Sequence, residues 1–180
     1  MENPLTDFSS LPRFADIRPE HVLPAIESLV AQGREAIESL ATAPGEPTWE
    51  EFVEPLETAN ERLARAWSQV SHLNAVVNSP ALREAYNAAL PRVTQFSTEQ
   101  SQDLRLYGRF KALAASPGFP RLPAGRRRLV DNELRDFRLG GAKLEPAAKA
   151  RFGKLQEELT ALSSRFQDNM LDATNDFALH

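Results

Sequence analysis

The chain has 180 residues, of which 42% are hydrophobic and 26% charged, with a formal net charge of −4 and no cysteine. That length suits a single domain able to bury roughly 70% of its unfolded surface, and the acidic balance argues against nucleic acid or an anionic membrane as the main partner. Without cysteine, disulfides, thiol nucleophiles and thiolate metal sites are excluded.

Prolines at 4, 12, 19 and 24 and the acids Glu2, Asp7, Asp16, Glu20 and Glu27 interrupt the first thirty residues, where a secretory signal needs an unbroken apolar segment. No run approaches the roughly 18 apolar residues of a membrane span, so a soluble, reducing, cytoplasmic setting is expected. Residues 1–18 read as an irregular lead-in punctuated by Pro4, Ser9, Ser10 and Pro12, with Leu5, Phe8, Leu11, Phe14 and Ile17 spaced to strap it over a helical core. A first helix is predicted from Pro19 to about Ala41, with Val22, Ile26, Leu29, Ile37 and Leu40 on one face. Pro24 costs this helix about 3 kcal/mol unless it bends or starts late. Thr42 to Pro47, containing Pro44 and Gly45, connects it to the next element.

The central stretch runs from Thr48 to Leu113. Thr48 and Glu51 have the spacing of a capping box, which places a helix start at Trp49. Trp49, Phe52, Leu56, Ala59, Leu63, Trp67 and Val70 then form one apolar stripe, leaving Glu50, Glu54, Glu57, Glu61 and Arg65 in water. A short polar connection from His72 to Ser79 follows. Ser79 and Pro80 open a second helix, whose apolar spacing from Leu82 through Tyr86, Leu90, Val93, Phe96, Leu104 and Phe110 to Leu113 continues past a bend at Pro91. So short a connection packs the two helices antiparallel.

Three prolines and a glycine within Ser116 to Pro123 exclude helix and mark the best internal boundary. A helix is predicted over Ala124 to Leu139, with Leu129, Val130, Leu134 and Phe137 inward and left-handed glycine at Gly140 and Gly141 ending it. A last helix starts near Pro146 and runs past Met170. Its stripe of Phe152, Leu155, Leu159, Leu162, Phe166 and Met170 marks it as a principal packing helix. No segment alternates like a strand. The expectation is an all-α array of about five to six long, antiparallel-packed helices forming a single lobe over 1–180: lead-in 1–18, helical hairpins 19–115, loop 116–123 and a helical pair 124–180.

Chemistry is sparse. The three histidines, His21, His72 and His180, make neither H-E-x-x-H nor E-x-x-H, so no metal site follows from this chain. His21 reads as solvated in a first helical turn. His72 falls where the Trp49 helix should end, placed to cap its last carbonyls, with a site role as the alternative. No G-x-S-x-G elbow or phosphate loop occurs. Arg126, Arg127 and Arg128 fan over about 200° of a helix beside Asp131, Glu133 and Asp136, which suits a solvated helix start rather than a nucleic-acid patch.

Five ordered segments carry more information: Leu11-Pro-Arg-Phe with Arg18-Pro-Glu-His-Val-Leu-Pro-Ala-Ile; Thr48-Trp-Glu; Val70-Ser-His-Leu-Asn with Asn78-Ser-Pro-Ala-Leu-Arg-Glu-Ala-Tyr; Val130-Asp-Asn-Glu-Leu-Arg-Asp-Phe; and Asn169-Met-Leu-Asp-Ala-Thr. Over essentially the whole chain they resemble the N-terminal portion of the thimet oligopeptidase family of zinc metallopeptidases. The resemblance implies a helical fold with two lobes flanking a deep channel, in which short peptides are cleaved at one buried zinc. It also implies that the H-E-x-x-H helix and third zinc ligand lie downstream of this chain, so no catalytic or zinc residue carries over to any position here. This stretch is then one wall of the channel, and the Ser71 to Tyr86 segment is the best match. His72, Asn74, Asn78, Arg83 and Tyr86 are its candidates for contact with the channel or the other lobe, the alternative being a helical hairpin held for packing.

Two classes of function remain at this stage. One is a piece of a peptidase, inactive alone, whose apolar surface is covered by the missing catalytic part and which self-associates or binds a hydrophobic dye when isolated. The other is a free-standing helical binding or regulatory module with the same architecture. The ending Asp172-Ala-Thr-Asn-Asp-Phe-Ala-Leu-His, with neither helix stop nor polar tail, favours the first.

Overall fold

A computed structural model describes residues 3–177; the ends of the expected lead-in and of the last segment, including His180, lie outside the described residues. Among the described residues there are six α-helices and no strand, as the periodicities predict. The lead-in carries two single 3-10 turns, Pro4–Thr6 and Phe14–Asp16. Leu5 is fully buried, and Phe8 and Ile17 pack against the core. Leu11 does not strap anything: it is 87% exposed. Asn3 fastens the segment, since its Oδ1 accepts from Leu5 N at 3.0 Å and its Nδ2 donates to the His21 carbonyl at 2.8 Å.

Helix α1 spans Pro19–Thr42. His21 is not simply solvated: its Nδ1 accepts the Arg18 backbone N–H at 3.1 Å while its own N–H donates to the Arg18 carbonyl at 3.0 Å, so it closes the helix start. Pro24 sits inside an unbroken α1. Its missing donor would have served Glu20, which stands exposed in the first turn and can turn its carbonyl to water.

Thr48 caps the next helix as expected, its Oγ1 accepting from Glu51 N at 3.1 Å. The first turn, Trp49–Val53, is π-helical, with Glu54 N donating to the Trp49 carbonyl. Pro55 explains the wide register, because it has no N–H to give the Glu51 carbonyl. Helix α2 follows directly over Glu54–Val76. It runs through His72, so the expected connection of His72 to Ser79 shrinks to Val77, Asn78 and Ser79. Helix α3, Pro80–Ser101, begins at Ser79, whose Oγ accepts from Leu82 N at 3.2 Å, and contains Pro91.

The predicted run to Leu113 is two helices. Asp103 ends it as one by accepting the backbone N–H groups of Arg105 at 2.7 Å and Leu106 at 3.2 Å through Oδ1, starting α4 at Leu104–Ala115. Leu104 accordingly faces solvent instead of extending the stripe. The proline-rich stretch holds one 3-10 turn, Phe119–Arg121, before α5 at Ala124–Leu139. Of the two following glycines only Gly141 is left-handed, at φ 87°; Gly140 keeps φ −71°. Ala142 N then reaches back to the Phe137 carbonyl at 2.9 Å, and Ala142 is buried.

Helix α6 spans Pro146–Asp176 and differs most from expectation. It packs on α3 through Gln156, Thr160, Ser164 and Asp168, of which only Ser164 is buried, while Leu155, Leu159, Leu162, Phe166 and Met170 stand half or more exposed. Of the stripe read as a packing face, only Phe152 at its start is half-buried, beside α3; from Leu155 to Met170 it is turned away from the rest of the described chain.

The organising element is α1 rather than the α2/α3 pair. α1 packs against α2, α3 and α4, and it buries Ala25, Val30 and Gly33 as well as Val22, Ile26, Leu29 and Ile37. That broader arc is what a helix sandwiched between neighbours presents. Gly33 permits its closest approach to α3: a Cβ there would lie 2.6 Å from Phe96 Cζ. A ring cluster completes the core where α4 and α5 meet the π-turn, with Phe52 edge-on to Phe110 at 4.9 Å and Phe110 at 5.7 Å from Phe137.

Candidate functional site

The Ser71 to Tyr86 segment folds as the tip of the α2/α3 hairpin and the first turns of α3. Leu73 ends α2 by accepting both Val77 N at 2.9 Å and Asn78 N at 3.3 Å. Asn78 takes φ 27°, a conformation asparagine tolerates better than most residues, and its Nδ2 donates back to the Asn74 carbonyl at 2.8 Å. Asn78 Oδ1 accepts from Arg83 Nη2 at 2.8 Å. Arg83 then crosses to α6, where Nη1 and Nη2 form a fork onto Asp172 at 2.9 and 2.6 Å. Its Nε lies 3.5 Å from Asp168 Oδ1, near enough for charge attraction but outside hydrogen-bond geometry.

Tyr86, one turn further along α3, stacks on Trp67 of α2 with centroids 4.8 Å apart and planes 13° from parallel. Burial pushes its phenol pKa up, the neighbouring Ser71 hydroxyl works against that rise, and the Asp168 charge adds to it. Asn74, Asn78, Arg83 and Tyr86 therefore belong to one connected set that joins α2, α3 and α6. His72 stands apart. It is exposed, meets Phe14 of the lead-in edge-on at 5.6 Å, and does not cap α2, whose last turn runs past it.

The arrangement is a clamp. Asp172 hydrogen-bonds both terminal nitrogens of Arg83, and that pairing holds the Asp172 carboxyl below its ordinary range and raises the guanidinium pKa. The guanidinium is thus engaged within the chain rather than open to a peptide carboxylate. Beside it a cleft of about 460 Å³ lies between α3 and α6, walled by Leu90, Pro91 and Thr94 on one side and Thr160, Ala161 and Arg165 on the other. Ser164 Oγ donates to Asn87 Oδ1 at 3.1 Å across it.

Among the described residues no three His, Asp or Glu side chains converge in a way that could hold a metal ion. The residues lining the cleft do not fit a zinc site: its two carboxylates are Glu157 and Asp168, Asp168 faces Arg83, and no histidine lines it. One feature the sequence did not reveal is a half-buried carboxyl pair, Glu57 of α2 and Glu133 of α5. Glu57 does not simply face water: burial raises its pKa. Glu133 is pushed up to about 7, by burial first and then by the charges of Glu57 and Asp136. A glutamate at a stripe-flanking position carried no signal of this, because the pairing exists only when α5 returns to α2.

Oligopeptidase A of Haemophilus influenzae is 43% identical over 97% of this chain, and the Escherichia coli oligopeptidase A is 38% identical over the same share. A protein of Arabidopsis thaliana named probable cytosolic oligopeptidase A is 37% identical, again over 97% of the chain. These alignments cover only 25%, 26% and 25% of the respective relatives, so the chain spans about a quarter of the length of the curated relatives it matches. Residues 26–149, the segment from α1 into α6, match the Neurolysin/Thimet oligopeptidase N-terminal domain. No helix of the described residues is long and apolar enough to cross a membrane. With the match taking in most of α1, all of α2 to α5 and the start of α6, the chain belongs to the neurolysin/thimet oligopeptidase family and carries its N-terminal domain.

Proposed function

We propose that residues 1–180 are the N-terminal helical lobe of a zinc-dependent oligopeptidase, forming one wall of the channel that admits short peptides and cleaving nothing on its own. The observation that carries this reading is the mismatch of coverage: nearly all of this chain aligns with relatives of which it makes up only a quarter. The sequence contains no H-E-x-x-H, so the zinc and its ligands belong to the remaining three quarters. The hairpin tip, where His72, Val76 and Val77 are exposed, is the part of the Ser71 to Tyr86 segment that faces the channel or the other lobe. Asn74, Asn78, Arg83 and Tyr86 hold that tip in place from behind. For a cytoplasmic setting the support is the name of one plant relative, a second being named organellar.

The test compares this chain with the complete gene product on an internally quenched peptide, with and without a zinc chelator. The complete product is expected to cleave the peptide and to lose that activity to the chelator, while this chain shows no turnover and retains no zinc after dialysis. Chelator-sensitive cleavage by this chain, or stoichiometric zinc in it, would overturn the reading. An immunoblot of source cells gives an independent check: a native product near 20.0 kDa argues against a larger enzyme.

A further inference from the structure

The exposed stripe of α6 is the largest unexplained feature of the surface. Leu155, Leu159, Leu162, Phe166, Met170 and Phe177 are 50% to 74% exposed, and the first five follow one another at steps of three and four along the helix. At 100° per residue they centre about 140° around the helix from the face that packs on α3. From Leu155 to Phe177 the row is about 33 Å long. Exposed apolar area of this order, several hundred Å² in one strip, marks an interaction surface. The packed face of α6 is largely polar, holding Gln156, Thr160, Ser164 and Asp168 beside the half-buried Leu171, while the five large apolar residues from Leu155 to Met170 meet water.

We propose that this stripe is the seam on which the rest of the longer polypeptide docks, through an apolar face of its own; the proposal rests on the functional reading above. Two observations choose this occupant over a second copy of the chain. Relatives that match this chain through 97% of its length carry about three times as much sequence again, so the occupant is tethered and present at an effective concentration a separate molecule does not reach. The stripe also runs through the last turn of α6 to Phe177, and the matched family model describes an N-terminal domain, which sets the relatives' further sequence after it. The Arg83 fork onto Asp172 holds that end of α6 against the hairpin tip, so seam and tip are presented as one rigid surface.

The chain has no cysteine, so Leu159→Cys and Phe166→Cys each introduce a single defined thiol on the stripe, and Lys154→Cys places a control on an exposed flank of the same helix. Maleimide labelling is followed by mass spectrometry of the α6 peptide, in this chain and in the complete gene product. Labelling at 159 and 166 is expected to be at least about tenfold slower in the complete product than in this chain, with position 154 changed by less than about twofold. Equal rates at 159 and 166 in the two forms overturn the proposal while leaving the peptidase reading intact. Protection that appears in this chain alone as its concentration rises, together with a doubled mass by light scattering, assigns the stripe to a second copy and also overturns it. A native product no longer than this chain removes the functional reading, and the proposal with it.

Discussion

Glu133→Gln is expected to stabilise the protein at about pH 8 and to leave it unchanged at about pH 4.5. The carboxyl is pushed up to about 7 in the fold, from 4.5, chiefly by burial and secondarily by the charges of Glu57 and Asp136. Its folded pKa is therefore the higher one, and the folded state holds a proton that the unfolded state has released. Stability from this group falls as pH rises from 4.5 to 7, and the whole penalty persists above 7. A full transfer of that difference amounts to about 3.4 kcal/mol. Water reaches part of the side chain and screens it, which reduces the expected penalty to about 1–2 kcal/mol. Urea titrations followed by circular dichroism at both pH values measure it directly. The wild-type chain should lose that amount between the two conditions relative to Glu133→Gln. If the two proteins show the same pH dependence, or the glutamine variant is the weaker at pH 8, then the carboxyl is solvated rather than half-buried.

Other parts of the fold make separate predictions. Gly33→Val forces a branched side chain into the space occupied by the Phe96 ring, which a Cβ alone would approach to 2.6 Å; overpacking at the α1/α3 crossing should lower stability by about 2–3 kcal/mol in urea titration. Phe110→Ala removes the ring between Phe52 and Phe137 and should cost about 3–5 kcal/mol, measured the same way. Asp103→Ala deletes the cap that separates α3 from α4 and should cost about 1 kcal/mol, whereas Asp103→Asn, which keeps an accepting oxygen, should recover most of it. Arg83→Met leaves Asp168 and Asp172 without their cation, and hydrogen exchange should quicken in the last turns of α6 while α1 keeps its protection. Unchanged exchange in α6 would mean that the clamp does not hold the helix.

Local rules made much of this structure legible before any coordinates. Ser79 and Pro80 start α3 because an N-cap oxygen and a donorless first residue suit a helix start in any context. Residues 124–139 were readable to their ends for similar reasons. The errors arose where two local signals competed. Asp103 lies in a run whose apolar spacing continues past it, and the spacing hid a cap that splits the run in two. At the other end of the hairpin, polar residues from His72 onward resembled a connection, but α2 continues because a helix on the surface of the array needs only one apolar face. The site candidates divide likewise: Arg83 and Asp172 are 89 residues apart, and no spacing rule joins them.

Period 3.6, caps and proline positions determined that this chain is all helix and roughly where each helix runs, because those are interactions within a few residues of each other. Tertiary structure alone decided which helix lies at the centre and which face of each is buried. α1 is central because Gly33 lets it approach α3 most closely. The apolar stripe of α6 points outward although its periodicity is as regular as that of any buried helix. Periodicity shows that a helix has a face to bury; only the placement of the other elements determines whether anything in this chain covers it.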